Sequence, residues 1–194
     1  MNMQPLILDQ LEFSKIHIDT LSDIEFKVGT FFPKIQYDFK ECTLLTKTNL
    51  SYDDNDASDP RAFVLRYGIK ISKSSQKEGV FIPYEVEVEA VAYLRYTASE
   101  NPLVGAERFR AIRFSGYQML HGAIREMISS LTARYRHGMW LLPARSLHSL
   151  AAKQANEDEE GRQAILEGAK VAVKKKLSTK KVGAAKKAKK GEES

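Results

Sequence analysis

The chain has 194 residues, a hydrophobic content of 43% and a formal net charge of +5 at pH 7. That length suffices for one well-cored domain, and the composition is that of a soluble globular protein. No apolar run approaches the roughly 20 residues that cross a bilayer, and the N-terminal segment lacks the features of a secretory signal. The single cysteine, Cys42, cannot form an intrachain disulfide. The sequence therefore predicts a cytoplasmic protein without membrane insertion.

The positive charge is confined to one end of the chain. Residues 170–194 contain ten Lys and two Glu, a net charge of +8, which leaves −3 for residues 1–169. The low complexity of this end predicts a disordered Lys-rich tail over 171–194. A terminal run of this kind is more often only a solvated charge tract, and nucleic acid could bind through this tail alone. Such binding would be unspecific, because the tail has no aromatic residue to stack on bases.

The first half alternates apolar and polar residues in the manner of antiparallel strands. Strands are predicted at about 11–28, 35–50, 63–71 and 84–96. In the first, the apolar positions change parity between Phe13 and Ile16, which indicates a bulge or a crossover of faces. In the fourth, Glu85, Glu87 and Glu89 lie opposite an apolar face, so this strand is expected to be buried on one side and acidic on the other.

The second half is predicted to be helical. Apolar residues recur at three- and four-residue steps over about 106–135, which places them on one stripe of a long helix. Gly116 and Gly122 each cost this helix up to about 1 kcal/mol relative to Ala, so close approach of another helix or sheet is expected there. A second helix is predicted at 146–170. Four strands followed by two helices, without βαβ alternation, predict an α+β fold with one antiparallel sheet.

Between the two helices lies an apolar segment, Met139–Pro143, that contains the only Trp of the chain. It cannot easily be helical, because Gly138 supplies a helix end and Pro143 prevents continuation. Large apolar residues outside regular structure either plug the core or bind something apolar. The sequence leaves both possibilities open.

No set of residues indicates an enzyme. The four histidines are scattered, and none pairs with Ser, Cys or Asp in a nucleophile–base pattern. No phosphate-binding loop, HExxH or paired cysteine motif occurs, so neither a cofactor nor a metal is expected. His121 and Glu126 are the one acid–base pair worth testing, and five residues apart they are poorly placed on a shared helix face.

Over about residues 10–150 the chain resembles the SecB chaperone family, including the SecB-like chaperones attached to toxin–antitoxin systems. FSKIHIDTLSDIEFKV is similar to the family's first strand, GAIREMISSLTAR to its long helix, and WLLPARSL to its proline-containing loop. The resemblance implies an ATP-independent holdase that binds unfolded or precursor polypeptides. It also implies a homotetramer, built as a dimer of dimers with the long helices between two four-stranded sheets. The chain would then divide into a SecB-like domain at 1–150, a C-terminal helix at 146–170 and the tail.

The resemblance also implies site residues. The client-binding groove would be lined by Phe31, Phe32, Ile35, Met139, Trp140, Leu141, Leu142, Leu147 and Leu150. Some of Leu141, Leu142 and Leu147 are expected to be core instead. The helix positions expected in an oligomer interface are Gly116, Met119, Gly122 and Ala123.

In export-dedicated members of the family, an acidic patch on the outer sheet face docks the basic zinc-binding tail of the translocase motor SecA. The candidates for such a face are Asp23, Glu85, Glu87 and Glu89, and a merely solubilising face is the alternative. Lys27 stands where another acidic residue is expected, which reverses the charge there. The Lys-rich tail also departs from the family pattern and would suit a different partner, such as an acidic antitoxin or nucleic acid.

Two other functions stay open at this point. A small-molecule or lipid carrier would need an enclosed pocket, since an antiparallel sheet curved over a long helix also builds ligand-binding domains. A nucleic-acid accessory protein acting through residues 170–194 would lose affinity steeply with salt. The holdase ranks first because it needs a wide apolar surface and no chemistry.

Overall fold

A computed structural model describes residues 6–21, 44–72, 83–99 and 101–188, with side chains as far as residue 168. Its elements are β1 (Leu6–Thr20), β2 (Leu45–Ser51), β3 (Ala62–Ile71), β4 (Tyr84–Tyr96), α1 (Gly105–Thr132) and α2 (His148–Ala188). The strands form one antiparallel sheet in the order β1-β4-β3-β2, and α1 packs on one face of it. The predicted α+β class is confirmed.

Strand β1 contains the predicted bulge and a second one. Its pairing with β4 shifts register between Phe13 and Lys15, and also between Leu8 and Gln10. Both shifts keep one face of β1 apolar, because these residues all pair with the inner face of β4: Leu6, Leu8, Leu11, Phe13, Ile16 and Ile18. A regular strand with this spacing would turn two of the six, Leu11 and Phe13, to the opposite face from the others. Residues 22–28 and 35–43 of the predicted strands lie outside the described residues.

The core lies between the inner face of the sheet and one stripe of α1. Gly116 of α1 is buried against the sheet, where a Cβ would lie 2.3 Å from Cδ2 of Leu65 and 3.0 Å from Cδ1 of Leu94. The close approach predicted at this glycine is therefore to the sheet of the same chain. Assigning Gly116 to an oligomer interface is corrected accordingly, because the space beside it is already filled.

Helix α2 is joined to the domain by a buried polar cluster. Arg113 of α1 donates to both carboxylate oxygens of Asp158, with 2.7 Å from Nη2 to Oδ1. The Tyr117 hydroxyl donates to Oε1 of Gln154, whose Nε2 donates to Oγ1 of Thr48 at 2.6 Å. This cluster connects α2 both to α1 and to the edge strand β2.

The backbone of α2 is helical as far as Ala188, past residue 170 where the second helix was predicted to end. It thus covers most of the range 171–194 for which composition predicted disorder. Lys and Ala are both strong helix formers, which favours a helical backbone for such a sequence. Residues 189–194 lie outside the described part. Among the described helices, none combines the length and apolarity needed to cross a membrane.

Candidate functional site

The segment joining the two helices, residues 138–147, is called the strap below. Over residues 139–143, side chains alternate between solvent and core. Trp140 and Leu142 are each 1% exposed, whereas Met139 is 63% and Leu141 45% exposed. A period of two is that of an extended backbone, in which neighbouring side chains point to opposite sides. The strap therefore has an inner side in the core and an outer, apolar side in contact with solvent.

The inner side of the strap is fixed to α1 and β4. The Trp140 ring lies 5.9 Å from that of Tyr84, and the Trp140 backbone N–H donates to Oγ1 of Thr132 at 2.8 Å. The Tyr84 hydroxyl donates to the carbonyl of Gly138 at 2.7 Å. Trp140 was interpreted as a groove residue. The structure corrects this, because a side chain packed in this way is part of the core.

The remaining groove candidates divide by burial. Leu142 and Leu147 are buried, in line with the expectation that part of the set belongs to the core. Met139 and Leu141 are exposed and Leu150 is half-buried. The last three candidates lie outside the described residues: Phe31, Phe32 and Ile35.

Tyr135 is an exposed apolar residue that the sequence analysis missed. It is 39% exposed, and its ring lies 5.9 Å from that of Tyr84. The long helix was predicted to continue to residue 135, whereas α1 ends at Thr132 and the chain turns there. The sequence signal that could have indicated its exposure is its position between two charged residues, Arg134 and Arg136. The apolar strap surface is defined here as Tyr135, Met139, Leu141 and Pro143, all of which are exposed.

A cavity of about 320 Å³ lies beside the strap. Its lining comes from the residue before β2, the end of β3, α1 and the strap: Leu44, Ile71, His121, Leu142, Pro143, Ala144 and Arg145. The volume is at the lower end of the range of small-molecule sites. It suits one or two apolar side chains, and Arg145 supplies a cation at its exposed border.

His121 connects the wall of this cavity to the strap. Its Nδ1 lies 3.2 Å from the Tyr67 hydroxyl and its Nε2 lies 3.1 Å from the carbonyl of Pro143. Burial raises the pKa of Tyr67 to about 12 against the opposing field of Arg145, so this hydroxyl keeps its proton. Arg125 adds a further anchor, since its Nε donates to the carbonyl of Leu142 at 2.7 Å.

These contacts decide against the one acid–base pair considered from the sequence. Both ring nitrogens of His121 are engaged by Tyr67 and Pro143, whereas Glu126 lies on the exposed side of α1. Within the described residues, no group of His, Cys, Asp and Glu is arranged to hold a metal ion.

The three glutamates of β4 lie together on the outer face of the sheet, at 27% side-chain exposure for Glu87 and 35% for Glu89. Lys15 Nζ lies 2.7 Å from Oε1 of Glu87, and Lys70 Nζ lies 3.5 Å from its Oε2. The hydrogen bond from Lys15 lowers the pKa of Glu87.

Glu89 is paired in the same way. Arg66 Nη1 lies 3.6 Å from its Oε1, and the Ser14 hydroxyl donates to it at 2.8 Å. The described part of the outer face is therefore of mixed charge, which differs from the acidic face expected from the sequence. The strand register brings these bases next to the glutamates, and the sequence alone does not give that register. Asp23 lies outside the described residues.

The other expected interface positions lie on the outward side of α1. Gly122 is exposed, and a Cβ there would meet nothing within 4 Å, while Met119 and Ala123 are half-buried. Strand β1 forms one edge of the sheet and leaves Leu8 and Ile16 exposed on its inner face, at 38% and 45%. These features give the chain a second region of uncovered apolar surface.

No protein-family model and no curated protein matches the chain. Among solved structures, the chain is similar to a SecB-like chaperone of Mycobacterium tuberculosis in complex with a ChAD peptide from the HigA1 antitoxin. The TM-score is 0.46 and the identity 18%, over 73% of this chain and 88% of that chain. It is also similar to a protein of unknown function from Streptococcus agalactiae, with TM-score 0.40 and 10% identity over 72% and 97%. Both scores lie below 0.5, so the functional conclusion rests on the residues of this chain.

Proposed function

We propose that this protein is an ATP-independent holdase that binds unfolded segments of other polypeptides on the apolar strap surface. The observation that carries the proposal is the exposure of Met139 and Leu141 on a strap whose alternate residues are core. Met and Leu side chains adapt to many partners, which suits a binder without strict sequence preference. The resemblance of residues 10–150 to the SecB family supports the same function.

The anchoring of the strap supports binding of extended segments. Its backbone is hydrogen-bonded at Trp140, Leu142 and Pro143, to the side chains of Thr132, Arg125 and His121 respectively. An apolar surface that is already ordered loses little conformational entropy on binding, so more of the contact energy appears as affinity. The cavity beside Pro143 would receive an apolar side chain of the client.

The proposal includes a homo-oligomer, a tetramer formed as a dimer of dimers. Strand β1 is 15 residues long and lies at one edge of the sheet formed by the described strands, with exposed Leu8 and Ile16. Long apolar edges of this kind promote aggregation unless another element covers them. A second copy would cover β1, and the outward side of α1 at Met119, Gly122 and Ala123 offers the other contact.

Two biological roles follow from a holdase: delivery of precursor polypeptides for export, or protection of an unstable antitoxin in the cytoplasm. The mixed charge of the outer face favours the second role. A basic docking segment such as that of SecA would have to displace Lys15 from Glu87 and Arg66 from Glu89. An antitoxin client needs only the apolar strap surface.

The test is suppression of aggregation of a chemically unfolded protein without ATP. The wild-type chain should suppress it, and the double variant Met139→Ser/Leu141→Ser should lose most of this activity. The matched control is Leu45→Ser/Val104→Ser, which removes two exposed apolar residues outside both the strap and β1. No suppression by the wild-type chain, or equal loss in both double variants, would contradict the proposal.

The cavity favours one alternative, a carrier of a small apolar molecule or lipid. Its volume of about 320 Å³ and its mostly apolar lining fit such a ligand. A carrier would show a tightly bound small molecule by native mass spectrometry and would act as a monomer. Binding of nucleic acid through the tail is tested by removing residues 170–194. Such binding should then disappear.

A further inference from the structure

The surface around the strap is basic as well as apolar. Residues 127–156 contain no Asp or Glu, yet they contain Arg134, Arg136, Arg145 and Lys153. These four side chains are exposed. The concentration of charge is unusual for this chain, because residues 1–169 as a whole carry −3.

The arginines of this region differ from the bases of the outer sheet face. On the outer face, Lys15, Lys70 and Arg66 lie within 4 Å of the carboxylates of Glu87 or Glu89. Within the described residues, no salt bridge involves the three arginines around the strap. At the neighbouring end of the sheet, Asp19 of β1 lies directly opposite Glu85 of β4 in the strand register, on the outer face. Among the described residues, the positive charge near the strap therefore has no carboxylate partner.

We propose that the strap prefers client segments in which apolar residues are accompanied by acidic ones. The acidic residues bind to the guanidinium groups of Arg134, Arg136 and Arg145. This inference rests on the proposed function and names its client class. Arg145 lines the cavity together with Leu142 and Pro143. An apolar side chain in the cavity thus brings a carboxylate of the same segment next to the Arg145 guanidinium.

The chemistry of arginine–carboxylate pairing determines how far acidic residues can change client binding. Guanidinium groups bind carboxylates through two parallel N–H···O bonds, which gives orientation as well as attraction. Since the arginines are exposed, each pair adds little affinity and is screened by salt. Electrostatic complementarity of this kind contributes mainly selectivity and rate of association. Apolar contacts would supply most of the affinity for a client, and the arginines would supply the selectivity between clients.

The experiment uses the full chain and three labelled model peptides with one apolar sequence and acidic, neutral or lysine-containing flanks. Fluorescence anisotropy should give the acidic peptide about tenfold tighter binding than the lysine peptide at low salt. The difference should shrink severalfold when the ionic strength is raised to roughly 0.3 M. Equal binding of all three peptides would overturn this inference and leave the holdase intact, whereas no binding of any peptide would overturn the holdase itself.

Variants separate the strap from the tail, whose charge also attracts acidic peptides. The triple variant Arg134→Gln/Arg136→Gln/Arg145→Gln keeps the tail and should lose most of the preference while binding the neutral peptide as before. The control is Arg95→Gln, an exposed arginine of β4 paired with Asp9. An unchanged preference in the triple variant would assign it to the tail and overturn the role of the strap.

Discussion

The two sides of the strap are built from residues of the same kind and behave differently. Trp140 and Leu142 are buried against the sheet and α1, whereas Met139 and Leu141 between them are exposed. Hydrophobicity therefore does not separate core residues from binding residues in this segment. The alternation of an extended backbone separates them, and the buried residues hold the exposed ones in position.

The two glycines of α1 show the same contrast. Gly116 lies against Leu65 and Leu94 of the sheet, while Gly122, six residues later, has open space beside it. Each interrupts a helix at a similar intrinsic cost. Within the described residues, only Gly116 has a packing partner that explains this cost.

The largest expected effect is a difference in stability between substitutions on the inner and the outer side of the strap. Trp140→Ala should lower the free energy of unfolding by about 3–5 kcal/mol, because it empties a buried site. Met139→Ala should change it by less than about 0.5 kcal/mol, since surface substitutions rarely do more. Urea unfolding of both variants measures the difference. Similar stabilities of the two variants would contradict the assignment of Trp140 to the core and would make it a candidate for the binding surface again.

A second prediction compares a buried ion pair with an exposed one. Asp158→Asn leaves the Arg113 guanidinium buried without its carboxylate, which should cost about 3 kcal/mol. Asp9→Asn removes the exposed partner of Arg95 and should cost less than about 1 kcal/mol. The measurement is chemical denaturation followed by far-UV circular dichroism. A small effect of Asp158→Asn would show that α2 is not fixed through this pair.

The two glycines give a third prediction of intermediate size. Gly116→Ala should destabilise the chain by about 1–3 kcal/mol through overpacking against Leu65. Gly122→Ala should instead stabilise α1 by up to about 1 kcal/mol. Gly122→Leu, measured by solution mass, should break the proposed oligomer. An unchanged mass would remove Gly122 from the interface.

The smallest expected effect is a dependence on pH. Hydrogen bonds from Arg108 and Arg61 lower the pKa of Asp59 below its ordinary value of 3.8. A carboxyl with a lowered folded-state pKa stabilises the fold above its unfolded-state pKa and loses this contribution as the pH falls through the lower value. Asp59→Asn should therefore reduce the loss of stability between pH 5 and pH 3. An identical pH profile for the variant would contradict this contribution.

Much of the fold was predictable because it depends on local periodicity. Alternation in β3 and β4, and the three- and four-residue spacing in α1, follow from which face each element buries. The bulge after Phe13 was visible as a change of parity. The second bulge, after Leu8, was missed because the predicted strand began only at residue 11. The apolar strap was recognised as unusual, although its residues could not be divided into core and surface.

The sequence by itself determined the order of the elements, the α+β class, the Lys-rich end and the segment where exposed apolar residues occur. Tertiary structure alone decided which strap residues face the core, which glycine of α1 meets the sheet and which bases lie next to Glu87 and Glu89. The physical reason is that periodicity is a property of one element. Burial and pairing depend instead on the register and contacts between elements distant in sequence, such as Lys15 with Glu87 or Trp140 with Tyr84.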